Sequence, residues 1–102
     1  MEYRIYQGDA GKSVIECSGR LTFSNSTAFM RITEELKASE GKSWVLELSR
    51  LEFIDSAGLG MLLMARDVLG EHKGRLTLKG AQGQVSKALN LARFDELIQV
   101  EP

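Results

Sequence analysis

The sequence predicts an α/β fold in which a β-hairpin opens a sheet and helices connect the later strands. Two short strand-like runs flank a Gly/Asp-rich link near the start of the chain. Beyond them, runs with strand character alternate with segments of helical spacing. Strands that alternate with single helices are typical of parallel crossovers. Right-handed crossovers place consecutive helices on one face of a sheet.

The first predicted helix lies between the hairpin and a buried strand. The hairpin strands are residues 3–7 and 13–18, and residues 24–26 (Ser-Asn-Ser) supply N-cap candidates for the helix. Gly41 is the predicted terminator, because glycine favours the left-handed conformation that ends many helices. The predicted buried face consists of Phe29, Ile32 and Leu36.

A buried strand followed by an apolar helix is predicted in the middle of the chain. Residues 44–48 are a nearly continuous apolar run, and residues 53–54 form a second apolar patch. The helix should span about 57–70, with Asp55 and Ser56 both at N-cap positions. A helix that is apolar around so much of its circumference is either deeply packed or carries a partner surface. Its two predicted sides are Leu59, Leu62, Leu63 and Arg66 against Met61, Met64, Ala65 and Val68.

The end of the chain predicts one more strand, one more helix and a tail. Residues 75–79 alternate between apolar and polar, as a half-buried strand does. Residues 82–92 have helical spacing, which completes the order ββαβαβα. Four residues of the tail should close the chain against the core: Phe94, Leu97, Ile98 and Val100.

Composition excludes several classes of function. The 102 residues carry 13 Lys and Arg against 14 Asp and Glu, a net charge of −1. That balance argues against general nucleic-acid binding and against electrostatic docking on an anionic membrane. The single Cys17 excludes an internal disulfide and a cysteine-cluster zinc site, and the single His72 is too little material for most His-based catalysis and metal binding. No leader or membrane-spanning stretch is visible, so we expect a cytoplasmic protein in which Cys17 is a reduced core residue.

The segment most suggestive of function is residues 54–60, Ile-Asp-Ser-Ala-Gly-Leu-Gly. A helix N-terminus offers free N–H groups and a partial positive charge to an anion. Gly58 and Gly60 would let another molecule approach the backbone there. One interpretation is structural: a capped helix whose glycines allow close packing against the sheet. The functional interpretation is a presented Ser56 that acts as a nucleophile, a ligand contact or a phosphorylation site.

Two of the functional alternatives have little support in the sequence. The nucleophile pattern G-x-S-x-G is absent, because Ile54 stands at the position of the first glycine. His72 would lie roughly 20 Å or more from Ser56 along an unbroken helix. The phosphate-binding pattern is incomplete, since Gly58-Leu59-Gly60 has no third glycine and no G-K-S/T follows. A nucleotide or other anion sensor at this helix N-terminus remains as a third hypothesis.

Residues 54–60 resemble the signature of the STAS family, which is named for sulfate transporters and anti-sigma factor antagonists. The resemblance extends over essentially the whole chain, including residues 19–21, the strand at 44–48, and residues 88–94 near the end. It implies one STAS-like domain over 1–102, with a small mixed sheet and helices mainly on one face. It also implies that the protein has no catalytic activity and needs no cofactor.

In stand-alone bacterial members of this family, the serine after the signature aspartate is phosphorylated, and here that serine is Ser56. The kinase is an ATPase of the histidine-kinase-like type that is often the anti-sigma factor itself, and a PP2C-type phosphatase reverses the modification. The resemblance thus implies partner switching: the unphosphorylated form binds the anti-sigma protein and frees its other client. The neighbours of the phosphorylation site are Asp55, Ala57, Gly58, Leu59 and Gly60. The candidate contact residues are Thr22, Ser24, Asp55, Ala57, Leu59 and Met61.

Two further expectations concern residue 22 and the oligomeric state. Many members have Gly-Glu-Leu-Asp where this chain has Gly-Arg-Leu-Thr at 19–22, so the neutral Thr22 should ease repulsion of a phosphate and alter partner choice. The free protein should be a monomer. The alternative function is a constitutive STAS subunit of a transport or signalling complex, which would need no phosphate on Ser56.

Overall fold

A computed structural model describes residues 1–102 and contains one five-stranded sheet and three helices. The sheet order is β1-β2-β3-β4-β5; β1 is antiparallel to β2, and the other neighbours are parallel. A helix connects the two strands of each of the three parallel pairs, which confirms the predicted α/β fold with an opening hairpin. The strands are β1 (Glu2–Gln7), β2 (Ser13–Leu21), β3 (Ser43–Ile54), β4 (Arg75–Lys79) and β5 (Gln99–Glu101), and the helices are α1 (Ser26–Lys37), α2 (Ser56–Glu71) and α3 (Gly83–Leu91).

The hydrophobic core lies between the three helices and one face of the sheet. Ile15, Leu46 and Leu78 occupy matching register positions on the three central strands, and all three are fully buried. The opposite face carries polar groups such as the ion pair between Arg4 and Glu16, whose Nε and Oε1 lie 2.8 Å apart. Val14 and Val45 also lie on this second face and are buried. One apolar face and one largely polar face explain the alternating pattern of the short strands. The predicted face of α1 is confirmed, because Phe29, Ile32 and Leu36 are all buried.

The end of α1 differs from the prediction. The helix stops at Lys37, well before Gly41, which lies in the following turn with φ of 68°. Instead, the helix is closed by a relay of two buried side chains, Ser39 and Trp44. The Ser39 hydroxyl donates to the carbonyl oxygen of Leu36 at 2.9 Å and accepts from the indole N–H of Trp44 at 2.8 Å. The prediction of Gly41 as terminator was therefore wrong, since the helix ends where this relay binds the carbonyl group of Leu36.

Strands β3 and β5 also differ from the prediction. The two apolar runs at 44–48 and 53–54 belong to one continuous strand, β3. The predicted tail contains β5, which pairs with β4 and completes the sheet. Phe94 and Ile98 are buried as predicted, but Leu97 is 45% exposed. Three residues are too few for a strand to show its periodicity in the sequence.

The predicted division of α2 into two apolar sides was wrong. The buried stripe takes Leu62 from one predicted side and Met61 and Ala65 from the other. Its residues are Gly58, Met61, Leu62, Ala65 and Leu69. Within one predicted side, Met61 is buried whereas Met64 is 51% exposed. No helix of this protein combines the length and the apolar character needed to cross a membrane.

Cys17 lies inside the core, as predicted. Its side chain is almost completely buried on β2. Burial raises the pKa of the Cys17 thiol to about 12, because the thiolate would lose its hydration there. The thiol is therefore a packing residue at neutral pH.

Candidate functional site

The candidate site is the junction between β3 and α2, where Asp55 caps the helix. The backbone of Asp55 is extended, and its Oδ1 accepts a hydrogen bond from the N–H of Gly58 at 2.8 Å. Of the two N-cap candidates, Asp55 holds the cap and Ser56 is the first helical residue. The Ser56 side chain is exposed, and its hydroxyl takes part in no hydrogen bond. The serine therefore contributes little to the helix end that it occupies.

Asp55 also holds the segment between β2 and α1. Its Oδ2 accepts from the N–H of Phe23 at 3.2 Å, and its own N–H donates to the carbonyl oxygen of Leu21 at 3.3 Å. Within that segment, Asn25 Oδ1 accepts from the N–H and the hydroxyl of Thr22, at 3.2 and 3.0 Å. One carboxylate thus joins the start of α2 to a segment that is distant in the chain.

The predicted N-cap of α1 is confirmed in its position but not in its hydrogen bonding. Asn25 stands at the N-cap of α1, but its side chain makes no bond to the first turn of that helix. Its amide oxygen is engaged by Thr22 instead, which closes the short 3-10 turn at Phe23–Asn25. The polar residues before α1 therefore shape the segment beside Asp55, and sequence spacing alone could not distinguish these two uses.

The two glycines of the signature have different surroundings. A Cβ on Gly58 would lie 2.3 Å from the carbonyl oxygen of Leu21 and 2.6 Å from Cγ1 of Ile54. A Cβ on Gly60 would meet nothing within 4 Å. The expectation that Gly58 gives access to another molecule was wrong, because β2 already occupies that space. The close-packing interpretation applies to Gly58, and open access applies to Gly60 alone.

The residues around Ser56 form a mixed surface. Ser24 is exposed, while Thr22, Ala57 and Leu59 are half-buried. Met61 is buried in the core, so its side chain is not available to a partner, which corrects that candidate contact. Sequence reasoning missed Phe23, whose side chain is 75% exposed beside the cap. An aromatic residue within an otherwise polar turn was the signal that could have identified it.

Gln84 is a second residue that the sequence did not indicate. Its Oε1 accepts from the N–H of Ile54 at 2.9 Å, and its Nε2 donates to the carbonyl oxygen of Ile54 at 2.8 Å. Gln84, which lies in α3, thereby holds the main chain of the residue before Asp55. The contact joins residues 30 positions apart, so no local sequence pattern encodes it.

The position of His72 and the grouping of the acidic residues decide whether Ser56 has a histidine or a metal site beside it. His72 caps the C-terminal end of α2, at the opposite end of the helix from Ser56. Its Nδ1 lies 3.3 Å from Glu40 Oε2. No group of three or more His, Cys, Asp or Glu side chains is arranged to hold a metal ion. The site therefore consists of the exposed Ser56 hydroxyl and the Asp55 carboxylate that caps the helix, with His72 at the far end of α2.

Comparisons with known proteins agree with the fold and the signature. The structure resembles an anti-sigma factor antagonist from Mycobacterium paratuberculosis, with a TM-score of 0.84 and 22% identity over 99% of this chain and 85% of that chain. It also resembles the antagonist SpoIIAA in its unphosphorylated form, with a TM-score of 0.75 and 19% identity over 97% of this chain and 87% of that chain. The phosphorylated form of the Bacillus cell fate determinant SpoIIAA gives a TM-score of 0.67 and 18% identity over 97% and 90%. These likenesses show a common fold.

The sequence itself supplies the family assignment. A STAS-domain containing protein of Pseudomonas aeruginosa (strain UCBPP-PA14) is 29% identical over 92 residues, which is 90% of each chain. A family model described as "Mlab, STAS domain" matches residues 6–99. Because that model covers nearly the whole chain, the protein belongs to the STAS family.

Proposed function

We propose that this protein is a non-catalytic protein-binding switch of the anti-sigma factor antagonist type, controlled by phosphorylation of Ser56. The observation that carries the proposal is the division of roles at the start of α2. Asp55 makes the cap, while Ser56 is exposed and free of hydrogen bonds. A serine whose role was to cap the helix would hold the N-cap position itself. The free hydroxyl is therefore available to a kinase.

The proposed cycle has two states. Unphosphorylated, the protein binds an anti-sigma factor that is also a serine kinase of the histidine-kinase-like ATPase type, in the cytoplasm of a bacterium. Phosphate on Ser56 releases that partner, and a PP2C-type phosphatase restores binding. The likeness to SpoIIAA, which has been solved in unphosphorylated and phosphorylated forms, supports a phosphate on this fold.

Electrostatics support release without unfolding. A phosphate on Ser56 adds about −1.5 to −2 charge. The N-terminus of α2 favours that charge by roughly 0.3–1 kcal/mol, while the neighbouring Asp55 opposes it. In a complex, the same dianion would lose its hydration inside the interface, at a cost that reaches several kcal/mol unless the partner supplies cations. Since about 1.4 kcal/mol is tenfold in affinity, the phosphate can release a partner while the domain stays folded.

The proposed contact surface surrounds the serine. It consists of Thr22, Phe23 and Ser24 from the segment that Asp55 holds, and of Ala57 and Leu59 from the start of α2. An exposed aromatic side chain is a common anchor of protein interfaces. The Asp55 carboxylate holds the Phe23 backbone, so it fixes the aromatic group relative to Ser56.

The experiment is to measure the phosphorylation state of the protein in its own cells by intact mass and site mapping. We expect a condition-dependent phosphate at Ser56 and none in a Ser56→Ala strain. Capture from the same lysates should give the kinase with Ser56→Ala protein and at least tenfold less of it with Ser56→Asp protein. Equal capture by the two variants would remove the phosphorylation mechanism.

A second candidate is a constitutive STAS subunit of a transport or signalling complex. One observation favours it: the proteins that match in sequence are described as STAS domains, whereas the antagonists match in fold. Such a subunit would keep the same surface but need no phosphate. A protein that is unmodified under every growth condition, with equal partner binding by Ser56→Ala and Ser56→Asp, would support this candidate.

A further inference from the structure

One edge of β3 lacks a strand neighbour near the candidate site. Strand β4 pairs with β3 only from Ser43 to Glu47, whereas β3 continues to Ile54. Main-chain groups along such an edge need other hydrogen-bond partners when the segment is partly buried. Two glutamine side chains at the start of α3 supply them.

The two glutamines bind different parts of this edge. Gln82 Nε2 donates to the carbonyl oxygen of Ser49 at 2.7 Å. Gln84 both accepts from and donates to Ile54, so one carboxamide supplies the donor and acceptor pair that a neighbouring strand would present. Because both of its bonds go to the residue before Asp55, Gln84 fixes the main chain where β3 leads into α2.

The main chain at this point is held from two sides. On one side, the N–H of Asp55 bonds to Leu21 of β2. On the other side, Gln84 bonds to Ile54, whose own side chain is buried in the core. We propose that Gln84 is a positioning residue for Ser56. It sets the orientation of the serine and links α3 to the junction between β3 and α2. Its effect on phosphorylation rests on the proposed function, but its effect on the main chain does not.

The first test needs no partner. Gln84→Met keeps a side chain of similar length and removes both hydrogen bonds, and Gln82→Met is the matched control on the same edge. Amide hydrogen exchange should show about tenfold weaker protection of Ile54 in Gln84→Met, equivalent to about 1.4 kcal/mol. Gln82→Met should leave the protection of Ile54 unchanged. Equal protection of Ile54 in Gln84→Met and the unaltered protein, or the same loss in both variants, would overturn the proposal.

Gln84→Glu provides a second variant with the same geometry. Its carboxylate can still accept from the N–H of Ile54 but places a second acceptor oxygen against the carbonyl oxygen, so the protection of Ile54 should fall less than in Gln84→Met. Urea unfolding of each variant separates this local loss from a global one. A drop in protection that is equal at Ile54 and throughout α1 would contradict a local role.

The second test measures phosphorylation. Purified unmodified protein is added to extract of its own cells with ATP, and the rate of phosphate appearance at Ser56 is followed by mass. We expect a severalfold lower rate for Gln84→Met and an unchanged rate for Gln82→Met. An unchanged rate in Gln84→Met would overturn the positioning role. A complete lack of phosphate on the unaltered protein would instead refute the proposed function, and the exchange result would stand.

Discussion

The Asp55 carboxylate acts on two elements at once, because one oxygen caps α2 and the other holds Phe23. Asp55→Ala should lower the free energy of unfolding by about 1–2 kcal/mol, the usual loss for an N-cap. Asp55→Asn keeps an oxygen for the cap but turns a donor toward Phe23, so it should lose about 0.5–1.5 kcal/mol. Urea denaturation measures both. Ser56→Ala is the control and should stay within about 0.5 kcal/mol, because the hydroxyl has no partner. A loss as large as that of Asp55→Ala would show that the serine has a structural role.

The two signature glycines should respond in opposite directions to the same substitution. Gly58→Ala places a Cβ against the carbonyl oxygen of Leu21, and the overpacking should cost about 1–3 kcal/mol. Gly60→Ala meets open space on a helix and should stabilise by up to about 1 kcal/mol. Thermal unfolding of the pair gives the comparison. If both variants were stabilised, the close approach of α2 to β2 would be refuted.

Predictions about single residues succeeded where the residue acts on neighbours within one turn of the chain. The signature located the helix start, because aspartate, serine and the absent side chains act within one turn of the chain. It could not assign Gly58 to packing, since the atom in its way belongs to Leu21 on another strand. For the same reason it could not place Phe23 beside the cap or Gln84 beside Ile54, because each is positioned by a hydrogen bond to a residue about thirty positions away.

At the scale of an element, the end of α1 depends on a buried pair of side chains. Ser39→Ala would leave the Trp44 indole N–H buried without an acceptor and should lower the free energy of unfolding by about 1–3 kcal/mol. Trp44 is the only tryptophan, so its fluorescence follows the urea transition directly. Ser43→Ala, at an exposed serine nearby, should change stability by less than about 0.5 kcal/mol. Equal losses in the two variants would mean that the relay does not close the helix.

Elements were predicted well when their periodicity could be read over several residues. The face of α1 and the alternation of β4 are repeated local patterns, and both are confirmed. The length of β3 and the existence of β5 depend on pairing with distant strands, which a single sequence does not display. The buried face of α2 was misassigned because Gly58 and Ala65 lie on it, and small residues give a weak hydrophobic signal.

At the scale of the whole molecule, the proposed switch requires that a charge at Ser56 change binding and leave the fold intact. The serine lies outside the core, on the exposed side of the first turn of α2, whereas Gly58 packs toward β2 beneath it. A negative charge there gains from the helix N-terminus and is opposed by Asp55, so the two effects act in opposite directions. Ser56→Asp should therefore keep its free energy of unfolding within about 0.5 kcal/mol of Ser56→Ala, with the same dependence on urea.

The same comparison distinguishes two ways in which a phosphate could release a partner. If Ser56→Asp unfolded more readily by about 2 kcal/mol or more, with a changed slope in urea, the charge would act by loosening the domain. If the two unfolding curves coincide while capture of the kinase differs at least tenfold, the charge acts at the interface alone. We expect the second result, because no atom of the core has to move to accommodate a group on the exposed Ser56 hydroxyl. Amide hydrogen exchange of phosphorylated protein should then match that of the unmodified form everywhere except near the start of α2.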